Sequence, residues 1–328
     1  MPDRPLVLAF GGNALLPDPD DPSGAEQRAE EFAAALLMVI PDHSGLVLVH
    51  GNGPQVGTIL LRVEATRDQI PADPLDVLVA ETQGSIGYLL ARALRNALRA
   101  RNRHVEVATV ATQVVVEADD GGFSKPTKPI GPFYDSSRRV ELEAQGWDVV
   151  EVANRGLRRV VASPHPRRVV ELHTIGDAAR HGHVVIAGGG GGIPVVEDAN
   201  GDLVGVEAVI DKDRTAALLA RSLHSAGLVI LTAVPAAYLH YGTPQEQVIN
   251  EVTVSEAREL LDAGEFPPGS MGPKIEALAD YAEAIGRPGL VTSVPGLAGA
   301  LKGETGTWVV PDDQADARYS SAASTSST

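Results

Sequence analysis

Five consecutive glycines, Gly188 to Gly192, follow the apolar run Val184-Val185-Ile186-Ala187. The apolar run reads as a buried strand. No helix or strand tolerates the glycines, because each loses maximal backbone entropy on ordering. What such a run offers is exposed backbone N–H groups and close approach of a ligand, as in loops that cradle anions. After a polar turn at Asp198 to Asp202 come Val206 to Ile210, then Asp211-Lys212-Asp213, then a helical run from Thr215 to Arg221. Lys212 therefore stands at the start of a helix, where the macrodipole is already positive. A lysine placed there between two aspartates is either a capped surface residue or a cation aimed at an anionic ligand.

Composition narrows the classes of function. The 328 residues suit one large α/β domain or two small ones. Hydrophobic content of 44% and charged content of 21% are ordinary for a globular protein. The absence of cysteine excludes disulfides, thiol catalysis and cysteine metal sites, and nine scattered histidines argue against structural zinc, so no metal site is expected. A net charge of −16 argues against nucleic acid as a partner and favours a soluble cytoplasmic protein. Leu6 to Phe10 is too short for the apolar core of a signal peptide, and no run approaches the roughly 20 residues of a membrane span. Of 27 basic residues only five are lysine: Lys125, Lys128, Lys212, Lys274 and Lys302. Lysine supplies a compact, mobile point charge where arginine supplies a rigid fork. Lys128, Lys212 and Lys274 all lie in or beside Gly/Pro-rich turns or helix starts.

Along the chain, Leu6 to Phe10 and Leu46 to His50 read as strands, each ending in a glycine loop. Glu26 to Val39 carries apolar residues at helical spacing, and Gln55 to Arg67 continues as a helix with Pro54 near its first turn. Leu75 to Arg101 is helical, with a possible break at Gln83-Gly84-Ser85. Val105 to Val110 and Gln113 to Val116 read as strands. Asp119 to Asp135 is too rich in Gly and Pro for a long regular element. Residues 117–166 are expected to form a protruding subdomain or lid, with a helix at Ser136 to Gln145 and a hairpin of Trp147 to Val152 with Leu157 to Val161. The strand–helix rhythm then resumes through Thr174 to Arg180, Val184 to Ala187, Arg214 to Ser225, Leu228 to Thr232 and Ser255 to Ala263. A helix over Met271 to Ile285 takes Ser270 as its N-cap. Leu290 to Ser293 and Thr307 to Val310 close the sheet, and residues 312–328 form a disordered tail. Residues 1–311 thus make one domain, a mostly parallel sheet covered on both faces.

In open α/β sheets, ligands sit beyond the carboxyl ends of the strands. Three glycine loops fall there: Gly11-Gly12-Asn13, Gly51-Asn52-Gly53 and Gly188 to Gly192. No P-loop, G-x-G-x-x-G or G-x-S-x-G sequence is present, which disfavours P-loop, ordinary dinucleotide and hydrolase readings. Lys274, in the first turn of its helix, repeats the oddity of Lys212. Two lysines at helix starts, with Lys128 in a Pro/Gly lid, fit phosphoryl transfer, where charge spreads over three equatorial oxygens and catalysis is positioning plus electrostatics. Asp213 is placed to hold Lys212 and Lys274 in register.

Several motifs carry a resemblance to a known family: Phe10-Gly11-Gly12-Asn13-Ala14, His50-Gly51-Asn52-Gly53-Pro54-Gln55-Val56-Gly57, Thr82-Gln83-Gly84-Ser85-Ile86-Gly87-Tyr88, Pro126 to Phe133, Gly188 to Pro194, Gly205 to Asp213, and Pro268-Gly269-Ser270-Met271 with Pro273-Lys274-Ile275-Glu276-Ala277. Together they resemble the carbamate kinases of the amino acid kinase superfamily, from Leu6 to about Val310. The resemblance implies a three-layer α/β/α sandwich, a homodimer, and reversible phosphate transfer between MgADP and carbamoyl phosphate giving ATP and carbamate. It implies that Lys128, Lys212 and Lys274 act on the transferring phosphoryl group, organised by Asp213. Gly11, Gly12, Asn13, Gly51, Asn52, Gly53, Gly189, Gly190 and Gly191 would cradle the substrate. Lys212, Asp213, Ala233, Tyr241, Ser270, Met271 and Lys274 would take the nucleotide with its Mg2+. The chain departs from the family pattern at Asn154 and Leu157, where Gly and Trp are common. It departs again at Pro235, where Asp is common, and at His240, where Asn is.

Overall fold

The computed structural model of the protein describes residues 4–12, 24–40, 45–152, 155–267 and 269–314. The chain opens with β1 (Leu6–Phe10), α1 (Gly24–Leu36), β2 (Leu46–His50), α2 (Gly53–Thr66) and the long α3 (Leu75–Arg99). There follow β3 (Val107–Thr109), β4 (Gln113–Val116), α4 (Gly121–Ser124), β5 (Lys128–Tyr134), α5 (Arg139–Ala144), β6 (Asp148–Val152), β7 (Gly156–Val161) and β8 (Pro166–Val169). The next stretch holds α6 (Leu172–Arg180), β9 (Val184–Ile186), β10 (Ile193–Glu197), β11 (Leu203–Gly205), α7 (Lys212–Ser222) and β12 (Gly227–Thr232). The described chain ends with β13 (Ala237–Leu239), β14 (Gln247–Ile249), β15 (Glu251–Thr253), α8 (Val254–Asp262), α9 (Gly272–Ile285), β16 (Gly289–Ser293), α10 (Leu297–Ala300) and β17 (Thr307–Val310).

Eight strands form one sheet in the order β15-β17-β16-β12-β1-β2-β9-β3. All neighbours from β16 to β3 run parallel, and β17 is antiparallel to β16. Successive residues of a strand point to opposite faces. Val7, Ala9, Val47 and Val49 accordingly join a core with Ile175 of α6, Leu219 of α7, Ala257 of α8 and Leu278 of α9. Leu8, Phe10, Leu46 and Leu48 join a second core with Phe32 and Leu36 of α1 and Leu90 and Leu94 of α3. Burial on both faces is why β1 and β2 read as unbroken apolar runs rather than alternating ones. The architecture is a three-layer α/β/α sandwich. Beside it lie a four-stranded sheet, β11-β10-β4-β8, and a three-stranded antiparallel sheet, β5-β7-β6, whose first residue is Lys128.

Several elements differ from the sequence expectation. The break foreseen at Gln83-Gly84-Ser85 does not occur, and α3 is one 25-residue helix. Val79, Thr82, Gln83, Ile86 and Gly87 are buried there. Their packing outweighs the roughly 1 kcal/mol that a helical glycine costs. The Pro/Gly stretch after Asp119 does form a seven-residue strand, β5. Pro129 and Pro132 cannot donate to a ladder, but β5 pairs on one side only, with β7. The pairing slips between Ile130 and Phe133, around Gly131 at φ +70. Strand β8, which the sequence did not announce, pairs with β4. The N-cap position of α9 is Met271, not Ser270, and no side chain caps it. The tail is ordered through Gln314, because the Asp312 carboxylate accepts from the Ser255 amide (3.0 Å) and hydroxyl (2.7 Å) at the start of α8. Residues 315–328, the rest of that expected disordered tail, lie outside the described residues. Asn154 lies outside them too.

Gly84 is exposed on an unbroken helix, and a Cβ added there meets nothing within 4 Å. Gly84→Ala is expected to raise the unfolding free energy by about 1 kcal/mol. Urea denaturation of the two proteins checks this. No gain, or a loss, would mean that α3 does not run through Gly84.

Candidate active site

β12, β1, β2 and β9 are consecutive neighbours in the parallel sheet, so their carboxyl ends lie side by side. The loops after β1 and β2 touch. The Gly51 amide donates to the Phe10 carbonyl (2.8 Å), and Gln55 Nε2 donates to the Gly12 carbonyl (3.3 Å). A Cβ on Gly51 would lie 2.7 Å from the Gly12 nitrogen and 3.2 Å from Lys212 Cδ, so the stem of Lys212 lies against this pair of loops. Asn13 lies outside the described residues. Asn52 is the N-cap of α2 but does not cap it with its side chain. Its Nδ2 instead donates to Thr82 Oγ1 (2.9 Å).

The glycine run after β9 is held by a buried polar network. Gly188, Gly190, Gly191 and Gly192 have φ of 63, 68, 96 and 97, the left-handed region that favours glycine. Space demands glycine as well. A Cβ on Gly189 would lie 2.3 Å from His50 Nε2, and one on Gly191 2.1 Å from the Ile210 carbonyl oxygen. Gln83 Nε2 donates to the Gly189 carbonyl (2.9 Å), and Gln83 Oε1 accepts from the Thr112 amide (2.7 Å). Thr112 Oγ1 accepts from the Gly188 amide (2.9 Å), and Thr215 Oγ1 donates to the Gly191 carbonyl (2.6 Å). The Gly191 and Gly192 amides turn back onto the Gly188 and Gly189 carbonyls (3.0 and 3.1 Å). Among the described residues no protein acceptor takes the Gly189 or Gly190 amide. These two are the donors left for an anion.

The three lysines meet two aspartates at the start of α7. Asp211 is its N-cap, and Asp211 Oδ1 accepts from the Asp213 amide (2.9 Å). Asp213 is 1% exposed. It accepts from Lys212 Nζ (2.9 and 3.0 Å) and from Lys274 Nζ in the first turn of α9 (2.8 Å). Lys128 Nζ reaches Asp211 Oδ2 at 2.6 Å. Burial pushes the Asp213 carboxyl upward, but the Lys212 and Lys274 ammoniums overcome this and hold it below the usual carboxylate range. Asp211 is likewise held down, against its burial, by Lys128 and Lys212. Burial lowers both Lys212 and Lys274. The two aspartates more than restore Lys212, whereas Lys274, repelled by the Lys212 charge, stays below its ordinary value. Arg214 Nε donates to Glu276 Oε2 (3.0 Å), tying α7 to α9 just behind the lysines.

On the α9 side lies a cleft of about 540 Å3, lined by Gly11, Ala233, Tyr241, Ser270, Met271 and Lys274. Phe266 and Tyr238, which sequence reasoning passed over, supply further apolar lining. Its volume falls within the usual range of small-molecule sites. Pro235 holds this rim through its carbonyl, which accepts from Thr292 Oγ1 (3.2 Å). His240 takes a left-handed φ of 51, and its amide donates to Glu265. The structure thus brings the expected site residues into one continuous region except Gly53, which lines a separate cavity with Gly57 and Gly131, and Asn13, which lies outside the described residues. Sequence reasoning missed the roles of Asp211, Gln83 and Thr112. Asp211 is readable as a helix-start carboxylate. The other two act across 29 residues and carry no local signal.

His50, 1% exposed, packs beneath Gly189 with its Nδ1 3.1 Å from the Gly51 carbonyl. Burial lowers its pKa from 6.5 to about 4, a little offset by that contact. The unfolded chain therefore takes up a proton near pH 6.5 that the native protein refuses until near pH 4. The stability His50 contributes is full above pH 6.5 and is lost as pH falls toward 4. Between pH 7 and pH 5 this loss is about 2 kcal/mol. Depressed aspartates act only below about pH 4. Denaturant midpoints at pH 7 and 5 are expected to diverge in the wild type and to converge in His50→Gln. Equal slopes in both proteins would refute the assignment.

Comparison with known proteins agrees with this geometry. The model of the amino acid kinase family matches residues 4–293. The chain is 46% identical over 312 residues to the carbamate kinase-like protein YahI of Escherichia coli K12, covering 93% of this chain and 98% of that one. It is 44% identical over 316 residues to a carbamate kinase of Pyrococcus horikoshii, covering 95% of this chain and 100% of the relative. A solved carbamate kinase from Giardia lamblia bound to AMP-PNP superimposes with a TM-score of 0.87 at 37% identity, over 94% of this chain and 99% of that one. The chain belongs to the amino acid kinase family, within its carbamate kinase group.

Proposed function

We propose that this protein is a carbamate kinase, a phosphotransferase that moves the phosphoryl group of carbamoyl phosphate to MgADP and runs in reverse. The observation that carries the reading is the meeting of three lysines and two aspartates beside a cradle of free glycine amides. In the forward step a β-phosphate oxygen of ADP attacks the phosphorus of carbamoyl phosphate. The bond from phosphorus to the carbamate oxygen breaks and carbamate leaves as an anion, which later takes up a proton from water as it decays to ammonia and CO2. In the transfer step itself atoms and charge balance with no proton taken up or released, so the step needs no general base. It needs positive charge in fixed positions, which Lys128, Lys212 and Lys274 supply to the transferring group. The Gly189 and Gly190 amides, with the Gly11-Gly12 and Gly51–Gly53 loops, hold the acyl phosphate end. The cleft beside Ala233, Tyr241, Ser270 and Met271 takes the nucleotide, consistent with the AMP-PNP bound to the Giardia relative. Mg2+ enters on the nucleotide. With this reading go a lid role for residues 117–166, a cytoplasmic homodimer and a place in arginine catabolism.

A second reading keeps the chemistry and changes the carboxylate whose acyl phosphate is used. The cradle is built mostly of backbone amides, which recognise an anion without naming its acyl group. A relative as close as 46% carries only the name carbamate kinase-like. Another small carboxylate is the alternative substrate.

ATP formation from carbamoyl phosphate and MgADP tests the first reading. Lys212→Ala and Lys274→Ala are expected to cut kcat by roughly 100-fold or more while circular dichroism stays unchanged. A wild type that binds MgADP yet makes no ATP would overturn carbamoyl phosphate as the phosphoryl donor. Acetyl phosphate and other acyl phosphates would then be assayed. Radiolabelled protein trapped from carbamoyl phosphate alone would overturn direct transfer.

A further inference from the structure

The Lys128–Asp211 pair joins the β5-β7-β6 sheet to the start of α7, parts that also meet where β5 lies on α2, with Gly131 Cα 3.3 Å from where a Gly57 Cβ would be, and where the Ala162 carbonyl after β7 accepts from the Val209 amide (2.9 Å). Asp211 is 8% exposed, and the side chains of the pair are 28% and 12% exposed. Such a pair is far less screened than a surface one, and losing one partner strands the other's charge. The two oxygens of Asp211 have separate tasks. Oδ1 is occupied by the Asp213 amide, which fixes the carboxylate as the cap of α7. Oδ2 is thereby aimed in one direction, and Lys128 Nζ sits on it. An ammonium has three N–H donors, so a bond to Asp211 leaves two for a ligand.

We infer that Asp211 is a positioning residue for phosphoryl transfer: it anchors Lys128 of the protruding β5-β7-β6 sheet to the helix end that carries Lys212 and Asp213. The inference rests on the carbamate kinase reading for its catalytic consequence but not for its structural one. Asp213 gathers the two lysines of the sandwich, and Asp211 gathers the one that comes from outside it. The three ammoniums are thus indexed to the first turn of α7. Without Asp211 the strand that carries Lys128 would still be held by α2 and by the Ala162–Val209 backbone bond, but the ammonium at the end of its side chain would lose its anchor on α7. An alternative is that Asp211 is merely a helix cap. The two tasks separate by substitution, because asparagine caps a helix about as well as aspartate but brings no charge.

The test is a double-mutant cycle with a second readout that needs no turnover. Asp211→Asn is expected to lower Tm less than Asp211→Ala, which removes the cap as well as the charge, and to lower kcat at least tenfold. In a Lys128→Met background the same change is expected to have no further effect on kcat. Wild-type kcat in Asp211→Asn, or a loss that multiplies fully with that of Lys128→Met, overturns the inference. If the wild type turns over no acyl phosphate, the functional reading fails and the second readout decides alone. The chain has no cysteine, so Asp148→Cys on β6 and Glu259→Cys on α8 give unique spin-label sites, both exposed. The distance distribution between them is expected to be narrow in the labelled parent and broad when Asp211→Asn or Lys128→Met is added. An unchanged distribution in both variants overturns the anchoring role.

Discussion

A buried carboxylate between two lysines sets the conditions for the rest of this structure. Lys212 and Lys274 stand in the first turns of α7 and α9, where the helix dipoles repel cations. Asp213, almost wholly buried, makes that placement tenable, and it in turn stays ionised in the interior only because both ammoniums face it. The arrangement requires the two helix starts to be adjacent. Packing of α7 and α9 on one face of the sheet and the Arg214–Glu276 tie provide this. Positive charge is therefore held ready before any ligand arrives.

The glycine cradle is rigid for a different reason. A run of five glycines would be the loosest part of most chains. Here the Gly189 carbonyl, the Gly188 amide and the Gly191 carbonyl are held by Gln83, Thr112 and Thr215, which reach the run from α3, from the loop before β4 and from α7. Three separate elements must be in place for the loop to have one shape, so the cradle and the sandwich form together. The unbroken course of α3 matters here. A break at Gly84 would have pulled Gln83 away from Thr112 and Gly189.

Much of this was legible in the sequence, and the boundary is physical. The apolar runs of β1, β2, β9 and β12 announce a two-faced parallel sheet because both faces are buried. The glycine loops follow from where those strands end, and Lys212 and Lys274 from their awkward place against the dipole. What could not be read depends on partners far along the chain. Gln83 stands in one of the motifs that carry the family resemblance, but nothing local shows what its side chain holds, and Pro129 with Pro132 speaks against a strand until β5 is seen to have a neighbour on one side only. Asp211 was visible as a carboxylate at a helix start. Its hold on Lys128, from a strand 83 residues earlier, was not.

The neighbouring positions of β12, β1, β2 and β9 make the sheet a ruler. Parallel strands lie about 4.8 Å apart, so the span from the cleft beyond β12 to the glycine run beyond β9 is about 14 Å. That pitch is set by backbone hydrogen bonds, and no side-chain substitution alters it. A ligand pair lying across the strand ends must therefore fit a fixed number of strand widths. Beyond β9 only β3 remains. On the proposed reading the acyl phosphate bound beyond β9 has one strand width left before the edge of the sheet, while its acyl group is recognised by the loops.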